Sequence, residues 1–143
     1  MLFQRINRTD PEKMFIVAKN SYSTASLTAG MPVQWDFETD VDGVGVTIPV
    51  AEAGIACAGI TVGTIASGAY GLFQVYGYNA DAIVDGGTDV TAGNALTMNA
   101  AAFELYKMST ASTVVDIGHP CGFAFADMTA ATAAATAMFV KCL

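Results

Sequence analysis

Between Ala53 and Tyr76 the chain runs for 24 residues without one charged side chain. A stretch of that length and polarity has two ways to fold: as one helix crossing a bilayer, or as short strands packed into a core. The spacing Gly59-Ile-Thr-Val-Gly63 suits the first, because small residues four apart let membrane helices approach closely. Five glycines (Gly54, Gly59, Gly63, Gly68 and Gly71), with β-branched and aromatic residues between them, favour the second. Strands and turns are therefore expected here.

Charge sets the next limit. Asn20 to Tyr106 carries nine Asp and Glu and neither Lys nor Arg, whereas four of the six bases (Arg5, Arg8, Lys13, Lys19) fall in the first nineteen residues. The chain thus has an acidic body behind a weakly basic leader, with a net charge of −7. An acidic body repels phosphate backbones, so nucleic acid is not an expected partner. Only 13% of the 143 residues are charged against 53% apolar. A monomer's surface would be short of ionic groups, which predicts that a partner covers part of it. The length suits one domain, hiding roughly two-thirds of the surface that its unfolded form exposes. An export signal would need an apolar run after Arg5 and Arg8, but Asp10, Pro11 and Glu12 intervene and Met14 to Ala18 is short. The expectation is a chain made without such a signal and without a membrane partner.

Period-two patterning predicts a mainly β fold, a small single-domain barrel or sandwich. Residues 1–32 read as an extended N-terminal arm with one short strand at Met14 to Ala18, because Ser21, Ser23, Thr24, Ser26 and Thr28 offer hydroxyls in place of core surface. Residues 33–143 read as the compact β-rich body. Asp42-Gly43 marks a tight turn before a strand in which Val44, Val46 and Ile48 alternate with Gly45 and Thr47, and Pro49 closes it. The clearest strand is Tyr70 to Tyr78, with Tyr70, Leu72, Gln74, Tyr76 and Tyr78 on one face and Phe73 and Val75 on the other. Those tyrosines fit equally a core edge and a subunit contact. Asp85-Gly-Gly87 reads as a turn, and the Val90 to Leu96 segment as a turn leading into a strand. Asn99 to Met108 is expected to form a short helix capped by Asn99, the alternative being a strand. Gly122 to Ala126 and Met138 to Leu143 read as closing strands, the first setting Phe123 and Phe125 on one face. Thr129 to Ala137, all Ala and Thr, suits a helix and, equally, a loop or a strand lead-in.

Chemistry-bearing patterns are thin. Cys57, Cys121 and Cys142 are odd in number and far apart in sequence, which predicts buried free thiols. His119 and Cys121 supply one loose pair where zinc wants four ligands. Glu38, Asp40 and Asp42 alternate before Gly43 like the start of a calcium loop, but Pro49 stands where that loop needs a bidentate Glu, so solvated carboxylates are expected. No Gly-x-Ser-x-Gly, His-Glu-x-x-His or phosphate-binding loop occurs, and Cys121 with His119 has no group to hold an electrophile. Neither an enzyme nor a cofactor or metal is expected.

Three segments carry a family resemblance. They are Asn20-Ser-Tyr-Ser-Thr-Ala-Ser-Leu27 leading to Trp35-Asp36 and Asp42-Gly-Val-Gly-Val-Thr47; Ile65 to Tyr78; and Val90 to Leu96 with His119-Pro-Cys-Gly-Phe-Ala-Phe125. Together they resemble the head-decoration, or cement, proteins of tailed bacteriophages. The resemblance implies a β-rich structural virion protein on the outer surface of the capsid, in trimers that touch several copies of the major capsid protein and reinforce the shell. It directs attention to Phe3, Arg5, Arg8, Lys13 and Phe15 as a capsid-binding arm, and to Trp35, Tyr70, Tyr76 and Tyr78 as subunit-interface aromatics. A β-rich host-surface or carbohydrate-binding module is the alternative of a different class.

Overall fold

The computed structural model describes residues 12–39, 43–49, 57–85, 87, 89–99, 102–108, 120–129 and 132–142. Among these residues nine strands follow one another: β1 (Lys13–Asn20), β2 (Pro32–Trp35), β3 (Gly45–Thr47), β4 (Cys57–Thr61), β5 (Tyr70–Val84), β6 (Ala95–Met98), β7 (Leu105–Lys107), β8 (Gly122–Ala124) and β9 (Ala134–Lys141). They form one mixed sheet in the order β1-β3-β2-β4-β5-β7-β6-β8-β9, and β5 also pairs with both β1 and β9. The fold is mainly β, as the alternating pattern predicts. No helix among the described residues is long and apolar enough to cross a membrane.

The extra pairings close the sheet twice. Strands β1, β3, β2, β4 and β5 make one five-membered ring, and β5, β7, β6, β8 and β9 make a second, with β5 common to both. Going round a ring must restore the strand direction, so antiparallel steps must be even in number and five strands require an odd number of parallel ones. Each ring has one: β1 with β3, and β5 with β7. Closure removes open sheet edges, which would otherwise template pairing with other chains.

Each ring encloses a core. Ala18, Leu27, Val33, Val46, Ala58, Ile65 and Phe73 form the core of the first. Ala82, Val84, Val90, Leu96, Met98, Leu105, Cys121, Ala124, Met128, Met138 and Val140 form that of the second, joined by Ile60 of β4. The fifteen-residue β5 serves both because its two halves present Phe73 and then Ala82 and Val84 inward. Gly77 marks the passage between them, at φ 100°, and a Cβ there would run into the Glu12 carbonyl oxygen. Only glycine meets both conditions. Gly30 ties the end of β4 to the second half of β5: its N–H donates to Thr61 O at 2.9 Å and its carbonyl accepts from Ile83 N at 2.9 Å.

Two sequence expectations are corrected. The body does not begin near Val33: β1 pairs with β5 from Lys13 to Lys19, and Ala18, Asn20 and Leu27 are fully buried. The hydroxyl-rich stretch that suggested a solvated arm is fixed by two residues. The Asn20 side chain donates to Ile65 O at 3.0 Å and accepts from Tyr22 N at 3.0 Å, while Leu27 bridges Ile65. What remains of the expected arm, residues 1–11, lies outside the described residues, with Phe3, Arg5 and Arg8. The expected helix at Asn99 to Met108 is instead the end of a β6–β7 hairpin, in which Leu96, Thr97 and Met98 face Lys107, Tyr106 and Leu105. Asn99 holds its mouth by donating from N to Glu104 O at 3.0 Å and from Nδ2 to Glu104 Oε1 at 2.8 Å. A capping side chain turned to a hairpin outweighs the helix propensity of a few alanines. Of the readings of the Ala and Thr segment, the strand holds from Ala134 onward.

Candidate functional site

The most distinctive surface lies on the outside of the second ring. Register places Tyr78 of β5 opposite Phe139 of β9, and Phe139 opposite Phe123 of β8. Three rings therefore stand in a row across three strands, on the face opposite Met138, Val140 and Ala124, which are buried in the core. Phe123 stacks on Phe139 with centroids 5.2 Å apart and planes 11° off parallel. Tyr76 meets Phe139 edge-on at 5.0 Å, and Phe125 lies at 5.9 Å from Tyr78 and 5.4 Å from Phe123. Phe123 and Phe125 remain 37% and 47% exposed. Lys13 Nζ sits 6.0 Å from the Tyr78 ring centre, at the limit of cation–π attraction. Glu12, Tyr76, Tyr78, Phe125 and Phe139 line an open groove of about 570 Å³ beside this row.

A second apolar strip occupies the outer face of the first ring. Val17 pairs with Leu72 and Lys19 with Tyr70 across β1 and β5, so their side chains share a face. Phe15, Val17, Val62, Tyr70 and Leu72 are all exposed there, Val17 and Tyr70 by about two-thirds. The acidic end of the first ring is more polar: Asp36 is buried and its Oδ1 accepts from Glu38 N at 3.2 Å and Thr39 N at 2.9 Å, which makes a local turn. Glu38 is exposed, and Asp40 and Asp42 lie outside the described residues. No group of three or more His, Cys, Asp or Glu able to hold a metal occurs among the described residues.

The sequence-selected residues divide accordingly. Lys13, Tyr76 and Tyr78 come together in the aromatic row; Phe15 and Tyr70 share the second strip, six residues along β5 from Tyr76. Trp35 joins neither, since it is half-buried and packs against the first core. Phe139 was not singled out in the sequence, although its alternation with Met138 and Val140 in β9 is the pattern of an outward residue. The thiols behave differently from their sequence spacing. Cys57 and Cys142 bring their sulfurs to 3.1 Å and Cys142 Sγ lies 3.6 Å from Cys121 O. The side-chain hydrogen bond with Cys121 and burial push the Cys57 thiol up against the opposing pull of Cys142, while the bond with Cys57 and burial push Cys142 up. His119 lies outside the described residues.

No protein-family model matches this chain, and no curated protein matches it. Its fold is similar to a solved structure, that of the head fiber gp8.5 N base in bacteriophage phi29, with a TM-score of 0.54 and 14% identity over 92% of this chain and 96% of that one. At that identity the likeness is one of fold, and it covers nearly the whole length of both chains.

Proposed function

We propose that the chain is a structural protein of a phage virion that seats on the outer surface of the capsid and reinforces it, without catalysis or cofactor. The observation that carries this is the aromatic row Tyr78, Phe139 and Phe123, turned away from a core directly beneath it. Large rings left on a closed β body bury well against a second protein surface and do little for the body itself. The shared fold with a phage head-fiber base supports the location. In this reading the aromatic row and the Phe15 to Tyr70 strip are separate contact faces, one toward the major capsid protein and one toward further copies of this chain, in a homotrimer. Trimer symmetry makes shallow contacts act together, since the first contact raises the effective concentration of the others. Arg5, Arg8 and Lys13 steer the acidic body toward capsid carboxylates.

The test uses heads assembled without this protein. Replacing Phe123 and Phe125 by Ser should leave the body folded and lower occupancy at least tenfold, because buried interface aromatics commonly contribute about 2 kcal/mol or more. Removing residues 1–11 leaves β1 whole and should also weaken attachment. Unchanged occupancy in both variants would remove these surfaces from the mechanism. The groove beside the aromatic row favours a second reading, a carbohydrate-binding module, in which ring faces stack on a sugar. Reproducible hits on a glycan array, lost in the same Phe123 and Phe125 variant, would select it.

A further inference from the structure

Cys57 opens β4 in the first ring and Cys142 follows β9 in the second, yet their sulfurs lie 3.1 Å apart. That is about 1 Å beyond a covalent sulfur–sulfur bond of ~2.05 Å. Both positions are fixed by backbone. Cys57 faces Gln34 in the β2–β4 pairing, and Cys142 N donates to Val75 O at 2.9 Å. Both side chains pack against the second core while keeping some exposure, whereas Cys121 is fully buried. We infer that Cys57 and Cys142 are a site of covalent modification, an intramolecular disulfide that staples the first ring to the second across β5, with Cys121 left as a free thiol.

The co-reactant is a small-molecule disulfide such as oxidised glutathione. One protein thiol loses its proton and its sulfur attacks the reagent, forming a mixed disulfide and releasing one small thiolate. The other protein thiol then loses its proton and attacks the protein-side sulfur, which expels the second small thiolate. The released protons end on the two small thiols. The protein pair loses two hydrogens and two electrons, and the reagent is reduced to two thiols. Because Cys121 and burial push the Cys57 thiol up, and Cys57 and burial push Cys142 up, closure is slow near neutral pH and accelerates as pH rises. The bond would enclose β4 to β9 in one long loop, the arrangement in which a cross-link restricts the unfolded chain most. The virion reading enters only in the timing: a protein on the outside of a shell meets oxidising surroundings once it leaves the cell.

The full-length reduced protein is incubated with oxidised glutathione, and intact mass and non-reducing peptide mapping are read without any capsid present. The expected result is a loss of two hydrogens with no retained glutathione, a Cys57–Cys142 cross-linked peptide, and a raised melting temperature that dithiothreitol reverses. Cys121→Ser should still form the Cys57–Cys142 link, and Cys142→Ser should stop at a glutathione adduct or a free thiol. A Cys57–Cys121 link, a persistent adduct on wild type or no mass change over days would each overturn the inference. Failure here leaves the capsid reading standing, since head occupancy is measured separately.

Discussion

Gly77→Ala tests the shared strand where the two rings meet. At φ 100° an L-residue is disfavoured by about 1–2 kcal/mol. The new Cβ would also strike the Glu12 carbonyl oxygen, and because Lys13 is the register partner of Gly77, the start of β1 would have to lift. Losing one or two ladder hydrogen bonds there costs about 1–2 kcal/mol more. Against this, Ala restricts the unfolded chain by up to ~1 kcal/mol. The net expectation is a destabilisation of about 2–3 kcal/mol, or a fall of roughly 10 °C in melting temperature for a chain of this size. Gly68→Ala is the matched control, with φ 76° and nothing within 4 Å of the added carbon, so it carries only the conformational part. Thermal and urea unfolding of both variants isolate the steric contribution by difference. Equal losses at the two sites would refute the close approach of β1 to β5 and with it the closure of the first ring.

Three further outcomes follow from named groups. The Thr97 hydroxyl is buried without a hydrogen-bond partner, so Thr97→Val should be neutral or stabilising by about 1 kcal/mol in urea unfolding; a loss above ~1 kcal/mol would mean the hydroxyl is satisfied. Cys57 and Cys142 hold their protons in the folded state, while in the unfolded chain they ionise near pH 8.5. The unfolded state therefore binds fewer protons above that pH, and in reducing buffer stability should fall by up to about 1.4 kcal/mol per pH unit for each thiol. The Cys57→Ser/Cys142→Ser variant should flatten that slope, and an unchanged slope would place its origin elsewhere. Leu105→Ala empties a fully buried position of the second core and should cost about 2–5 kcal/mol by chemical unfolding; a cost below ~1 kcal/mol would mean that this core is loosely packed.

The residues differ in what they disclose before folding. Tyr70 to Tyr78 is legible as a strand because its alternation is local, and Phe73 and Val75 are indeed buried while Tyr70 and Leu72 are exposed. The same strand runs on to Val84, past Asn79, Ala80 and Asp81, where the polar residues coincide with a register irregularity in the pairing with β9. A polar bulge reads in sequence as a strand end. Strand β1 was legible only in part, since its pairing with β5 depends on a segment more than fifty residues away. Asn20 reads as a loop residue until its amide is seen bonded to Ile65 and Tyr22. The aromatic row was half visible, as tyrosines in one strand and alternating phenylalanines in another. What joins them is the register of β5, β9 and β8, a non-local property that spacing within a strand does not encode. The same holds for Cys57 and Cys142, brought together by two strands that share a neighbour.

The central claim is that this double-ring body holds to a phage head through surfaces it does not need for its own fold. Sedimentation of the purified protein alone, and of heads with and without it, weighs both self-association and attachment. The account predicts a small oligomer in isolation and a saturable gain in head mass at a whole number of copies per symmetry site. A monomer that adds no mass to any head at saturating concentration would contradict it.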